Sequence, residues 1–359
     1  MSSLTRRDVL RAIAGVSIAF PSISATHHPQ ESWPSHELHS ICGSPPGSGI
    51  DRFVRFYSKK LQDAVGQPVI VENRVGASGN LATEYLARSK PDGLTLGILP
   101  GALCLAAAPS LFKNLPWDPI NDFEHVALLA KLPFVLVVPA DSPFETLPDL
   151  TAFLQQRGAE AAYGASAVLG AVASKLYRAQ FGLETVEVAY KDPAAALNDL
   201  YGGHIAFTHV SAGFAQAPLK SGRLRALATS AADRTDATRD IPSAAQAGIL
   251  NSNILSWWSV QTPKGTPEAI LRRLERLFAD IAVAEDTQAF LAEAGSDPMP
   301  GGREQAKRLL IAEIEAWRGY VKLGRNAPRR TIISIVPALC GTVEVRKSGA
   351  PPAATAPNP

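Results

Sequence analysis

The feature that most constrains the fold is an alternation. Short apolar runs, rich in β-branched residues, recur along the chain, and amphipathic runs separate them. "FVLVVPA" (134–140) is apolar throughout, as a strand covered on both faces must be. "PVIVENR" (68–74), "LTLGIL" (94–99), "AAYGAS" (161–166), "TVEVAY" (185–190), "HIAFTHV" (204–210) and "LRALATS" (224–230) read as further strands. Between them, "NLATEYLARSK" (80–90), "TLPDLTAFLQQRG" (146–158), "LGAVASKLYRAQFG" (169–182) and "DPAAALNDLYGG" (192–203) have helical spacing. Two longer amphipathic helices follow, at 267–284 and 303–324. Asp192, Pro193 and Gly202 punctuate one helix as cap, first residue and stop. Strand–helix alternation predicts an α/β fold with mainly parallel sheets.

At 359 residues the chain suits two domains better than one. A net charge of +2 gives no nucleic-acid surface and no acidic tail, and the aromatic residues do not interleave with basic ones. Three cysteines, Cys42, Cys104 and Cys340, form neither a CxxC nor a zinc spacing. They read as free, buried thiols, with a Cys42–Cys104 pair as the alternative. His27 and His28 have no third ligand nearby in sequence, so no metal site is expected.

Residues 1–25 have a basic front, an apolar run from Ala12 to Phe20 and small residues to Ala25, which is the layout of an export signal. Arg6 and Arg7, followed by Val9 and Leu10, resemble a twin-arginine signal. The expectation is a soluble, exported protein of the periplasm. Residues 26–35 read as a flexible lead-in, and 325–359, with a Pro/Ala finish, as an atypical, disordered tail.

"GSPPGSGIDR" (43–52) runs two prolines and three glycines into a helix, with Asp51 placed to cap it. Such a turn exposes backbone N–H groups, which carry partial positive charge at a helix start and suit an anion. "NRVGASGN" (73–80) and "YGASAVLG" (163–170) repeat the design at later strand-to-helix junctions. Small polar loops at three such junctions are consistent with a cleft lined by helix N-termini.

Motifs for other chemistry fail. "GSGIDR" has Arg52 where a dinucleotide fingerprint needs glycine, and no GK[ST] follows either loop. "GASAV" has Val168 where a nucleophile elbow needs glycine. No cofactor is expected. His125, His204 and His209 stand singly, and Trp257 and Trp258 read as packing at a domain junction.

The ordered stretches "PPGSGID", "GQPVIVENRVGASGN", "KPDGLTLGIL", "LPWDPINDFEHVALLA", "FVLVVPADSPFETLPDL", "VAYKDPAAALNDLYGGHIAF" and "SWWSVQTPKGTPEAILRRL" resemble the Bug family. These are the extracytoplasmic solute-binding receptors of tripartite tricarboxylate transporters, and the likeness covers roughly residues 33–324. It implies a two-domain Venus-flytrap fold with two hinge crossings, near "FVLVVPA" and "SWWSVQTPKGTP". Domain 1 would comprise 36–135 and 253–324, and domain 2 would comprise 136–252. It implies a monomer that binds a small carboxylate, delivers it to a membrane permease and is no enzyme.

Residue by residue, the likeness assigns ligand contact to Pro46, Gly47, Ser48, Gly49 and Asp51, then to Gly76, Ser78, Gly79 and Asn80. In the second domain it assigns Ala165, Ser166, Tyr190, Lys191, Val210 and Ser211. Departures from the family pattern fall there too. Ala167, Val168 and Leu169 replace polar residues, Asp192 and Pro193 replace two glycines, and Val210 and Ser211 replace Asp and Asn. They suggest a ligand that is less charged or more apolar at one end, or a relative that has lost binding. The competing class is an exported hydrolase, for which Ser166 with His209 is the pair to test.

Overall fold

The computed structural model describes residues 33–250 and 252–326. The expected export signal, most of the lead-in, His27, His28, Cys340 and nearly all of the tail lie outside the described residues. The chain runs β1 (Leu38–Cys42), α1 (Gly49–Val65), β2 (Val69–Asn73), α2 (Asn80–Ala87) and β3 (Thr95–Pro100). A π-helical segment, Ala102–Ala107, leads through α3 (Ala108–Leu111) to the long strand β4 (Phe123–Pro139). Then come α4 (Leu147–Arg157), β5 (Ala162–Ala165), α5 (Val168–Phe181), β6 (Val186–Ala189), α6 (Pro193–Tyr201), β7 (Phe207–Ser211), α7 (Ala212–Lys220) and β8 (Leu224–Thr229). The chain returns through β9 (Leu255–Pro263), α8 (Glu268–Val283), α9 (Glu285–Glu293), β10 (Asp297–Gly301) and α10 (Arg303–Asn326).

The strands join in the order β2-β1-β3-β9-β4-β7-β5-β6, with β8 and β10 also on β4. Strand β4 belongs to two lobes at once. Up to Pro133 it pairs with β9, and near Lys131 with β10; from Phe134 it pairs with β7 and β8. The chain therefore crosses between lobes once inside β4 and again just before β9, the two crossings of a Venus flytrap. Buried Ser230 joins them: its hydroxyl accepts from the Phe134 N–H at 3.0 Å and donates to the Ile254 carbonyl.

The sheets are mixed, not mainly parallel. β1 pairs in parallel with β2 and β3, and β5 does so with β6 and β7. Every pairing of β4 and β9 is antiparallel. For β9 the cause is the return crossing, which brings it back against β4 and β3 without an intervening crossover helix.

Helix α1 shows how the elements are fixed. Phe53, Val54, Tyr57 and Leu61 lie on one buried face, and Phe53 stacks on Trp258 with ring centroids 3.9 Å apart. Gly66, with φ 71°, stops the helix in the left-handed conformation that other residues resist. Each such buried side chain contributes about 1.5–3 kcal/mol of transfer free energy. One apolar cluster spans both lobes: Leu99, Leu105 and Trp257 meet Leu169 and Leu176 of α5 and Leu310, Ile314 and Trp317 of α10. Trp257 thus packs at the junction as the sequence suggests, while Trp258 belongs to the core of the first lobe.

Candidate functional site

The first loop is held from beneath. Ser48, not Asp51, caps α1, its hydroxyl accepting from the Asp51 N–H at 3.2 Å. The helix begins at Gly49, three residues earlier than the sequence suggested, which moves Asp51 into its first turn. There the carboxylate accepts from the Gly47 N–H at 2.9 Å, from Arg55 Nε at 2.8 Å and from Asn73 Nδ2 at 2.7 Å. Asp51 is 2% exposed. The Arg55 guanidinium, aided by Asn73 and the Gly47 N–H, holds its carboxyl at about 2. Its acceptor capacity is used within the fold, so the expectation that Asp51 contacts ligand is replaced by a positioning role. Asn73 also donates to the Ser44 carbonyl at 2.8 Å and so stitches the end of β2 to this loop. Pro46, Gly47 and Gly49 are exposed and Ser48 is half-buried; Gly47 adopts φ 80°.

The second loop is strained. Gly76, Ala77, Ser78 and Gly79 all have positive φ, at 150°, 45°, 55° and 92°. A left-handed conformation costs a non-glycine residue about 1–2 kcal/mol, and such strain persists where surrounding structure enforces it. Three bonds do so here. Gly79 N–H donates to the Gly76 carbonyl at 2.9 Å, the Thr83 hydroxyl to the Gly79 carbonyl at 3.1 Å, and the Cys104 thiol to the Ser78 carbonyl at 3.6 Å. Space enforces it as well: a Cβ on Gly79 would sit 2.7 Å from Cys104 Sγ, and one on Gly43 would sit 2.9 Å from Gly79 Cα. The two loops therefore touch backbone to backbone. Helix α2 starts from Gly79 without a side-chain cap, and its first residue, Asn80, is buried. Cys42 and Cys104 are free, buried thiols. Burial pushes the Cys104 thiol up to about 12, so it stays protonated.

In the second lobe, Ala165 ends β5 and is buried. Ser166 is 6% exposed, and its hydroxyl is buried with no hydrogen-bond partner. An unpartnered buried hydroxyl costs about 1–3 kcal/mol. The next residue, Ala167, is the N-cap position of α5 and gives it no side-chain cap. The neighbouring helices differ. Asp192 caps α6, accepting from the Ala195 N–H at 2.9 Å, and Ser211 caps α7, accepting from the Phe214 N–H at 3.4 Å. Tyr190 lies beside the site, its N–H donating to the Ala165 carbonyl at 2.9 Å, but its hydroxyl donates to Asp199 at 2.7 Å. Lys191 is exposed. Val210 is packed in the second-lobe core with Val135 and Leu200.

The structure thus brings the start of the first loop, at Gly43, against Gly79 of the second, and Ala165, next to Ser166, against the backbone of Tyr190. It does not bring in Val210, whose side chain is in the core, and Ser211 is committed to its own helix. Asn73 and Cys104 escaped the sequence reading. The Asp51–Arg55 pair had a visible signal in its i,i+4 spacing.

The hydrolase pair does not form. His209 Nδ1 is 2.8 Å from the Ser174 hydroxyl, which also bonds the Gly170 carbonyl, and Ser166 is not its partner. Burial pushes His209 down to about 3, far from the value a general base needs near neutrality. Among the described residues no cluster of side chains fits a metal ion, and no helix is long and apolar enough to cross a membrane.

Comparison with known proteins agrees with this architecture. BugT of Bordetella pertussis is 30% identical over 316 residues, spanning 87% of this chain and 96% of that protein. A Rhodopseudomonas palustris protein solved with adipate superposes with a TM-score of 0.70 at 30% identity, covering 81% of this chain and 98% of its own. MatC of the same organism, solved with bound malate, gives 0.67 at 25% identity, covering 80% and 100%. The periplasmic binding protein BugD shares the fold at 21% identity and a TM-score of 0.68, covering 81% of this chain and 99% of its own. The model of the tripartite tricarboxylate transporter family receptor matches residues 53–323, and the chain belongs to that family of solute-binding receptors.

Proposed function

We propose that this protein is an exported receptor that closes its two lobes on a small organic carboxylate and delivers it to a tripartite tricarboxylate-type membrane permease. The observation that carries the reading is the start of α5. An uncapped helix N-terminus there stands beside the unpartnered Ser166 hydroxyl, an arrangement that lacks only an anionic acceptor. The strained, uncapped entry to α2 is the corresponding place in the first lobe. Adipate and malate in the two solved relatives support a small organic acid.

In this reading the lobes are 36–135 with 253–324, and 136–252, and the segment 1–25 is the export signal. Closure is a hinge motion at the two crossings, selected by contacts that ligand makes with both lobes. The receptor works as a monomer. A thermal-shift screen with di-, tri-, aliphatic and aromatic carboxylates tests the function. A ligand at 100 times its dissociation constant adds about 2.7 kcal/mol. A hit that disappears in Gly47→Pro or Ser166→Ala supports the reading; silence across the panel refutes it.

A further inference from the structure

We infer that the backbone contact between Gly213 and the Ala294–Gly295 turn is the stop that sets how far the lobes close, and that a side chain at either glycine would prop the cleft open. This rests on the two-lobe closure proposed above and not on the chemistry of the ligand. The contact joins the two lobes: Gly213 lies in the first turn of α7, and Gly295 lies between α9 and β10. A Cβ on Gly213 would sit 2.1 Å from the Ala294 carbonyl oxygen, and one on Gly295 would sit 2.4 Å from Gly213 Cα. Both obstacles are backbone, which cannot turn aside as the end of a side chain can.

Backbone torsion does not explain Gly213. It lies inside α7 and has no positive φ, and alanine is the better residue in a helix. Gly295, at φ 64°, has a torsional reason as well. Two hydrogen bonds cross between the lobes at the same place. Gln216 Nε2 donates to the Ala292 carbonyl at 3.3 Å, and the Ala237 N–H donates to buried Asp297 at 2.8 Å. The carbonyl end of α9 thus meets the N–H end of α7, an arrangement that the two helix dipoles favour.

Strand registers place this contact beside the hinge and on the cleft side. Ser211, which ends β7, pairs with Phe134, and Asp297, which begins β10, pairs with Lys131. The two sides therefore join β4 on either side of its crossing. β7 runs parallel to β5, so its Ser211 end lies at the sheet edge where β5 leads into Ser166. In the first lobe β3 is parallel to β1, and the pairings of β3 with β9, β9 with β4 and β4 with β10 are each antiparallel. The start of β10 therefore shares an edge with the end of β1, which leads into the first loop. Groups that meet between two cleft edges, next to the crossing, limit how far a hinge can shut.

The distance between spin labels across the cleft mouth of the ligand-free protein tests this. Labels go on Pro46→Cys and Lys191→Cys, both exposed, in a chain that also carries Cys340→Ser; Cys42 and Cys104 are buried. In Gly213→Ala the Ala294 carbonyl must retreat by roughly 1 Å to reach ordinary contact. β7, which leads to the contact, is one strand from β4, whereas β1 and β6, which lead to the labels, are each three strands away. With evenly spaced strands the lever is roughly threefold, so the label distance should widen by about 3 Å. Gly213→Val should widen it further. An unchanged or shorter distance in Gly213→Ala overturns the inference, because the backbone then yields locally. Failure of that variant to fold overturns it too, because the lobes then cannot part at this contact. Gln216→Ala removes a tie between the lobes without adding bulk and should leave the distance as it is. Widening there equal to that of Gly213→Ala would make the contact a tie and not a stop. The measurement needs no ligand, so none of these results touches the carboxylate reading.

Discussion

The two lobes treat their candidate ligand loops in opposite ways. In the first lobe both loops are braced: Asp51 ties Gly47 to Arg55 and Asn73, and Cys104 and Thr83 hold the strained Gly76–Gly79 loop. In the second lobe the corresponding junction has a bare helix start, a hydroxyl without a partner and a wall of Ala167, Val168 and Leu169. A scaffold that invests its hydrogen bonds in one lobe can present a fixed surface there. The other lobe keeps, at its own strand-to-helix junction, a buried hydroxyl that no protein group satisfies.

Breaking the first-lobe brace should have the largest effect. Gly79→Ala puts a Cβ 2.7 Å from Cys104 Sγ at a residue with φ 92°. Strain and overpacking together should cost about 2–4 kcal/mol. Urea denaturation measures this loss, and Cys104→Ala in the same chain should recover the overpacking share but not the backbone strain. Full recovery would mean that the conformation of the loop is unstrained.

Asp51→Asn comes next. It removes a charged acceptor from three donors and should destabilise by about 2 kcal/mol. The sign of the pH effect follows from the depressed carboxyl, about 2 against an ordinary 3.8. Its contribution is fully present above the unfolded value and is lost as pH falls through the folded one. The wild type should therefore lose stability between about pH 4 and 2, and the variant should show a shallower loss over that range. Equal slopes would rule out the lock.

A third prediction concerns the junction between the lobes. Burial pushes the Glu313 carboxyl on α10 up to about 7 from 4.5. The Trp257 indole N–H beside it, which makes no hydrogen bond of ordinary geometry, offsets only part of this. The folded protein then binds a proton that the unfolded chain has released, so stability falls as pH rises from about 4.5 to 7, by about 1–3 kcal/mol. Glu313→Gln should flatten that slope in a series of melting curves, and a slope of unchanged size would place the titration elsewhere.

How much of this was legible in the sequence depends on whether a signal was local. The helix around 192–203, with Asp192 as cap and Pro193 first, formed as read, because capping and proline geometry act over four residues. So did the stop at Gly182. Strand β4 was visible only in its last third, since "FEHVALLAKLP" mixes Glu124, His125 and Lys131 into the run and its pairing with β9 comes from far along the chain. The antiparallel sheets escaped for the same reason. Within the site, Gly47, Gly79 and Ser166 were legible as glycine and serine at strand-to-helix turns. Asp51 was misplaced because its partner Asn73 lies 22 residues away, and no spacing rule links them.

Ser166→Ala should change stability least and is the sharpest test of the contrast between the lobes. A hydroxyl that is buried and unpartnered contributes nothing to the unliganded fold and costs its desolvation. Its removal should leave a cavity smaller than a water molecule and raise stability by up to about 1 kcal/mol. The same substitution should weaken carboxylate binding roughly tenfold or more, the effect of losing a hydrogen bond to a charged group. Stability and affinity then move in opposite directions, which no purely structural serine would produce. A loss of both would make Ser166 an ordinary core hydroxyl whose partner is internal. A gain in stability without any loss of affinity would move the anion hold away from α5, to the uncapped start of α2 in the braced lobe.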